Sequence, residues 1–373
     1  MVRFGWKAPQ MEVGYSATVL VNLAARGVGE AFPAERIRAF LERQGVETRL
    51  EFPDSPAEMT RAASRAASRA DRLLFVVGGD GTLRVAAEGI ERSETALAAL
   101  PRGTVNVWAR ETGIPRGLRA ALDTHLAGRV VPMDLGVANG HRFLLMAGIG
   151  FDAAVTRDVS SALKRRIGDL AYVVQGARML PAARGQVLRW SEGEAVHEER
   201  VTVMVLSNTR LYGGKVRFSP GAFADDGLLD MVALAPHGPG AALRVSARLL
   251  LGRLQGDSAV RSALLPELLV DTPGLPVQID GDYVGVTPMR FGLKPGGLLV
   301  SIPAGPVRPQ PGCLVGGHPR GAAPADPVRS IAPQATTFTG SAGPVMSVIS
   351  WSTCFISRAS SGVSGSTSAS GMT

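Results

Sequence analysis

The residues best suited to chemistry are Gly78-Gly79-Asp80-Gly81-Thr82, which follow the apolar run Arg72-Leu-Leu-Phe-Val-Val77 directly and lead into a helical stretch, Leu83 to Ile90. Glycines let backbone amides approach an anion closely, and a helix N-terminus offers N–H groups without intrahelical partners. Strand, loop and helix together therefore make a phosphate site in physical terms. The loop lacks the Gly-Lys-Ser/Thr of a Walker A motif and the spacing of a G-x-G-x-x-G dinucleotide turn. Three glycines around an acid also exceed what a tight β-α turn demands. Farther along, Asp225-Asp226-Gly227 and Asp280-Gly281-Asp282 are acidic turns, and by themselves they read as a capped turn and a hairpin.

Other chemistries are excluded or unsupported. Both cysteines, Cys313 and Cys354, lie in the last seventy residues, so the preceding chain has no disulfide framework, thiolate zinc site or cysteine nucleophile. The five histidines show no H-x₃-H or H-E-x-x-H spacing. The net charge is +8, of which +3 falls after Pro306 and +5 before it, and only four of the forty basic residues are lysines. A mildly basic body favours phosphates or an acidic membrane surface, while no dense basic stripe with interleaved aromatics points to nucleic acid.

The elements that must position this loop read as two regions and a tail. The length of 373 residues allows two or three domains. Ala17 to Asn22, Thr48 to Phe52 and Arg72 to Val77 read as strands, alternating with helices over Phe32 to Arg43 and Ala57 to Ala70, which predicts a parallel sheet covered by helices. In the second helix Arg61, Arg65 and Arg69 share one face at i, i+4 spacing and read as a solvated face.

From about Val130 the texture changes to short β-rich runs: 137–147, 186–190, 201–207, 228–234, 277–279, 289–293 and 298–302. Their spacing predicts an antiparallel sandwich or barrel. Helices over 161–180 and 241–254 interrupt it. After Pro303 Gly, Pro, Ser, Thr and Ala dominate, so 306–373 is read as a disordered tail that a folded enzyme does not need. Met1 to Gln10 contains Arg3, Lys7 and Pro9 where a signal peptide needs an unbroken apolar run, and no stretch reaches the length of a membrane span. The expectation is a cytoplasmic protein with peripheral membrane contact and no transmembrane segment.

Beyond the glycine loop, the segment Pro101-Arg-Gly-Thr-Val-Asn-Val-Trp-Ala-Arg110 has the form P-x-G-T-x-N-x-x-A-R. Asp134-Leu-Gly, Phe143 and Ala147-Gly-Ile-Gly-Phe-Asp-Ala153 follow. Next come Ser207-Asn208, Tyr212-Gly213-Gly214, Pro220-x-Ala222-x-x-Asp225-Asp226-Gly227-Leu-Leu-Asp230 and Gln278-Ile-Asp280-Gly281-Asp282. In order and spacing over about 17–305 the chain resembles the diacylglycerol kinase catalytic domain and the bacterial lipid kinases that share it. That family is related to sphingosine kinases and more remotely to NAD kinase and phosphofructokinase.

The resemblance implies an α/β nucleotide-binding domain over 1–128, rejoined by a returning final strand at 296–305, and a β-rich lipid and Mg²⁺ domain over 129–295, with ATP between them. It implies that Gly78, Gly79, Asp80, Gly81, Thr82, Leu83, Arg84 and Thr104 contact the nucleotide, and that Asp226, with the carbonyls of Phe223 and Leu228, holds Mg²⁺. It places the general base at Asp282, where similar kinases carry Glu, with Asp80 as the next catalytic candidate. Arg84 stands where Asn is usual.

The implied activity is transfer of the γ-phosphoryl group of ATP to a lipid hydroxyl at the membrane surface, without a covalent intermediate. The acceptor is not specified: diacylglycerol, sphingoid bases, undecaprenol and phosphatidylglycerol stay open, as does a homodimer. NAD kinase, sharing Gly-Gly-Asp-Gly, is the nearest enzymatic rival. A catalytically inactive nucleotide-binding membrane regulator is the rival from another class.

Overall fold

The computed structural model describes residues 14–25, 28–29, 32–150, 185–214 and 216–305. The helix expected at 161–180 and the tail at 306–373 lie outside the described residues.

Four strands, β1 (Ser16–Val21), β2 (Glu47–Glu51), β3 (Leu73–Gly78) and β4 (Ala96–Pro101), pair in parallel in the order β2-β1-β3-β4. β3 and β4 are buried throughout, as strands covered on both faces must be. One face carries α1 (Ala34–Arg43) and α5 (Leu118–Leu126), which join Val19, Phe75 and Leu100 in one apolar core. The other carries α2 (Pro56–Ser68), α3 (Asp80–Gly89) and the short α4 (Val107–Glu111), packed around Leu20, Leu74 and Val76.

α2 begins where Ser55 accepts the Glu58 N–H at 3.2 Å and Pro56 occupies the first turn. Its arginine face is laced with ion pairs: Arg61 and Arg65 bond Glu58, while Arg65 and Arg69 reach Glu51 on β2. β4 and α5 escape the sequence reading because Ala-Leu-Ala-Ala-Leu lacks β-branched residues, and burial beside β3 decides its conformation.

The second region is antiparallel. β5 (Arg129–Ala138), β6 (His141–Phe143) and β7 (Met146–Gly150) correct the single run expected at 137–147, which Asn139-Gly140 breaks with a left-handed Asn139 at φ 50°. β7 joins β10 (Val203–Ser207), β13 (Leu229–Leu234), β14 (Val260–Leu265), β16 (Pro276–Ile279) and β17 (Asp282–Val286) in a sheet ordered β14-β13-β10-β7-β16-β17. β8 (Gln186–Glu192), β9 (Ala195–Val201), β15 (Glu267–Val270) and β18 (Met289–Ile302) extend the first sheet.

The runs expected at 289–293 and 298–302 are thus one strand, β18, bent by a register shift between Lys294 and Leu298. Its last residues pair with β5 and lie parallel to β4, while its first half pairs with β15. Between the two sheets lies a core of Phe143, Trp190, Leu206, Met231, Ile279 and Phe291. The hairpin β11 (Leu211–Tyr212) and β12 (Val216–Arg217) and a helix, α6 (Gly238–Leu250), complete the described fold. The expected combination, a mostly parallel α/β region followed by an antiparallel β-rich one, is what the chain forms.

Candidate active site

The glycine loop turns out to be the first turn of α3 itself. The sequence places the helix start at Leu83, but Gly79 is the N-cap, with φ −99° and ψ −174°, and Asp80 the first helical residue. The Leu83 N–H donates to the Gly79 carbonyl at 3.0 Å, so the amides of Asp80, Gly81 and Thr82 precede the first intrahelical bond. Leu83, expected among the nucleotide contacts, instead spends its amide in the helix and buries its side chain in the core. Thr82 Oγ1 accepts from Asn22 Nδ2 at 2.9 Å, which ties the loop to the end of β1.

A second loop, after β4, lies back to back with the first. The Gly103 N–H donates to the Gly78 carbonyl at 3.2 Å and to Asn106 Oδ1 at 2.8 Å, while Asn106 Nδ2 donates to the Gly103 carbonyl at 2.8 Å. A Cβ on Gly103 would stand 2.6 Å from Gly79 Cα, so the loops approach this closely only because both residues are glycine. Asn106 holds a left-handed conformation with φ 54° as the N-cap of α4. Thr104 sits on the same wall, its carbonyl accepting from Arg116 at 3.2 Å.

Asp80 spans the two loops. Its Oδ2 accepts from the Val107 N–H at 3.0 Å and its Oδ1 from the Trp108 N–H at 2.9 Å. Both oxygens thus serve the positive N-terminal end of α4, and Asp80 braces the two loops together. The cleft enclosed is about 270 Å³, lined by Gly79 to Gly81, Gly103, Thr104, Leu145, Met146, Tyr212 and Asp280 among others. Its far wall is fastened to the near one where Arg110 Nη1 donates to the Gly214 carbonyl at 2.6 Å and Glu111 Oε1 accepts from the Leu211 N–H.

Glu111 supplies a pH test of this joint. Burial, only partly offset by the Leu211 N–H, pushes its carboxyl up to about 8. The unfolded carboxyl ionises near 4.3, so from there to about pH 8 the folded chain binds more protons, and stability falls as pH rises through that window. Glu111→Gln, which keeps an acceptor for Leu211, should match the wild type below about pH 4 and exceed it in melting temperature by a margin that grows up to about pH 8. Parallel melting profiles for the two proteins would show that Glu111 is not buried as described.

Across the cleft, Asp280-Gly281 joins β16 to β17 in a two-residue turn with φ 48° and 92°, so the hairpin predicted from this dipeptide is present. Asp280 points inward. Its Oδ1 accepts from the Leu145 and Met146 N–H groups at 2.8 and 3.0 Å and its Oδ2 from the Leu144 N–H at 2.7 Å, while burial raises its carboxyl to about 6 against these bonds.

Asp282 points outward, 57% exposed, with its Oδ2 3.5 Å from where a Cβ on Gly81 would lie. Asp282 Oδ2 also accepts from Arg84 Nη2 at 2.9 Å, and Arg84 Nη1 lies 3.4 Å from Glu88. Arg84 is one turn along α3 from the glycine loop, so the two residues that stand out from the pattern of similar kinases are in direct contact.

None of Phe223, Asp226 and Leu228 lines this cleft. Asp226 Oδ1 accepts from the Leu228 N–H at 3.0 Å, so it caps its own turn. Asp134 clamps the turn to the bend of β18, accepting from Gly227 N at 2.7 Å and Gly296 N at 2.8 Å. Nearby, Asp230 has a buried Oδ2 without a hydrogen-bond partner, and burial, then the charge of Asp226, pushes its carboxyl up to about 7. Among the described residues no cluster of three or more His, Cys, Asp or Glu side chains is placed to hold a metal.

Asn22, Asn106, Asp134 and Asp280 are the contributors that sequence reasoning did not single out individually. Asn106, Asp134 and Asp280 lie inside the recognised motifs. Asn22 carries one weaker signal: it follows a parallel strand at its carboxyl end, where α/β sheets bind ligands.

Residues 16–138 match the family described as the diacylglycerol kinase catalytic domain, and 146–302 match the YegS C-terminal NAD kinase beta sandwich-like domain. A relative from Pseudomonas aeruginosa (strain UCBPP-PA14), named "Probable lipid kinase YegS-like", is 35% identical over 277 residues, covering 73% of this chain and 91% of its own. A Bacillus subtilis (strain 168) relative named "Diacylglycerol kinase" is 30% identical over 254 residues, covering 67% and 84%. Among solved structures, a diacylglycerol kinase from Bacillus anthracis str. Sterne superposes with a TM-score of 0.64 at 21% identity, covering 77% of this chain and 96% of that one, a likeness of fold.

Proposed function

The chain belongs to the lipid kinases built on the diacylglycerol kinase catalytic domain, and on that premise we propose that it transfers the γ-phosphoryl group of ATP to a lipid hydroxyl, with Asp282 as the base. The observation that carries this reading is the juxtaposition of an exposed carboxylate, Asp282, with Gly81 of a helix-N-terminal phosphate loop, across 201 positions of sequence.

The parts then have distinct tasks. The amides of Asp80, Gly81 and Thr82 receive phosphate oxygens, and the Thr82 hydroxyl, already an acceptor for Asn22, donates its own proton to them. Thr104 and the Gly103 backbone form the opposite lip. The acceptor hydroxyl passes its proton to Asp282 as its oxygen bonds the γ-phosphorus, the bond to the β-phosphate oxygen breaks, and ADP leaves. Arg84 neutralises Asp282 in the resting protein, an ion pair exposed enough to be worth about 0–1 kcal/mol and therefore exchangeable.

Mg²⁺ fits the acidic turn. The Oδ2 of Asp230 is buried there without a hydrogen-bond partner, and the Asp226 carboxylate with the Phe223 and Leu228 carbonyls would hold the ion. There the ion would supply positive charge to neutralise phosphate oxygens. Peripheral contact with a membrane follows from a lipid acceptor. Among the described residues no helix is long and apolar enough to span a bilayer.

Lipid-stimulated release of ADP tests the reading. ADP formed from ATP and Mg²⁺ should rise with micelles of at least one of diacylglycerol, a sphingoid base, undecaprenol and phosphatidylglycerol, and stay at background with detergent alone. Equal ADP release with and without lipid would contradict it.

A further inference from the structure

We propose that the outer face of α6 docks the protein on an anionic lipid bilayer. The lipid-kinase reading supplies the choice of a lipid surface, while the helix itself supplies the rest.

α6 has two unlike faces. Ala242, Val245, Ser246 and Leu249 are buried, and Val245 and Leu249 join the core that contains Leu145, Met146 and Leu211 of the cleft. The helix therefore covers the cleft side of the second sheet, where β10 and β13 present Val203, Val205, Val232 and Leu234.

The other face should be polar in a helix that meets only water. Instead Leu243 is 65% exposed, Leu250 51% and Leu251 68%, and with Ala247 they form a stripe at i, i+4, i+7 and i+8. Single exposed leucines are ordinary, but a continuous stripe of this kind marks a contact surface.

The charge beside the stripe selects the partner. Arg244 and Arg248 both lie on Asp257, at 3.0 and 3.4 Å, so one acid is shared by two guanidiniums, and the exposed Arg253 adds another positive charge. Between residues 238 and 256 there is no other acid. Leucines on one face, flanked by arginines with a surplus of positive charge, match the acyl boundary and headgroups of an anionic bilayer. A second copy of this helix would bring the same positive charges together, so charge favours the bilayer over self-association.

The test is sedimentation of the full chain with vesicles of phosphatidylcholine alone or mixed in equal parts with phosphatidylglycerol. Wild type should partition onto the anionic vesicles at least about tenfold more strongly, and the triple variant Leu243→Glu, Leu250→Glu, Leu251→Glu should lose that binding. Arg253→Glu should weaken it severalfold and high salt should do the same. If the triple variant misfolds by circular dichroism, Leu251→Ser, at the most exposed of the three, takes its place. Variants should phosphorylate a short-chain soluble acceptor at the wild-type rate and lose turnover only on vesicles. Failure of all turnover would fail the kinase reading and leave the partition result standing by itself. Equal partition of wild type and variants, or a light-scattering dimer that the leucine substitutions split without altering vesicle binding, would overturn the proposal.

Discussion

Asp282→Asn should phosphorylate lipid roughly 10²–10⁴-fold more slowly than the wild type while binding ATP with unchanged affinity, because deleting a positioned base costs that much when the nucleophile is an alcohol. The substitution keeps the side chain's size, and the Asp280-Gly281 turn that presents it is held separately by the Leu144, Leu145 and Met146 amides. Asp282→Glu retains a carboxylate one methylene longer and should stay active, which separates lost basicity from lost structure. Wild-type turnover in Asp282→Asn would move the base elsewhere. Asp80 is then a poor successor, since both its oxygens are bonded to α4 amides.

Gly103→Val should abolish nucleotide binding. Any Cβ at Gly103 would stand 2.6 Å from Gly79 Cα, and that neighbour is backbone, so the two loops must part. Parting them misplaces the amides of Asp80, Gly81 and Thr82, and a loss of at least about 100-fold in ATP affinity follows if even two charge-assisted bonds are forfeited. Gly81→Ala provides the contrast. Its Cβ would meet Asp282 Oδ2 at 3.5 Å, an ordinary contact, so the empty protein should fold normally while phosphate approach is crowded. Calorimetric titration with ATP checks both. Wild-type affinity in Gly103→Val, with its circular dichroism intact, would remove the second loop from the site.

The sequence disclosed those parts of the site whose chemistry restricts residue type. A phosphate cradle needs glycine, and Gly78 to Gly81 announce it. The β-α alternation ahead of it is equally plain, because β1 and β3 carry the apolar runs of strands buried on both faces. What stayed hidden depends on contacts far apart in the chain. β4, Ala-Leu-Ala-Ala-Leu-Pro, carries no strand signal of its own and is set by β3 beside it. The identity of 289–293 and 298–302 as one strand depends on the bend that Asp134 clamps at Gly296. The roles of the two acids in Asp280-Gly281-Asp282 differ because one side chain meets three amides and the other meets Arg84, a residue 198 positions away. Spacing alone assigns neither.

The most direct test of the central claim is transfer of label from γ-phosphate-labelled ATP to a panel of acceptors: diacylglycerol, a sphingoid base, undecaprenol, phosphatidylglycerol and NAD. Wild type should place label in at least one lipid, extracted into organic solvent, at a rate that Asp282→Asn lowers and Asp282→Glu retains. Label appearing on NAD and on no lipid, or on no acceptor with any of the three proteins, would contradict the account.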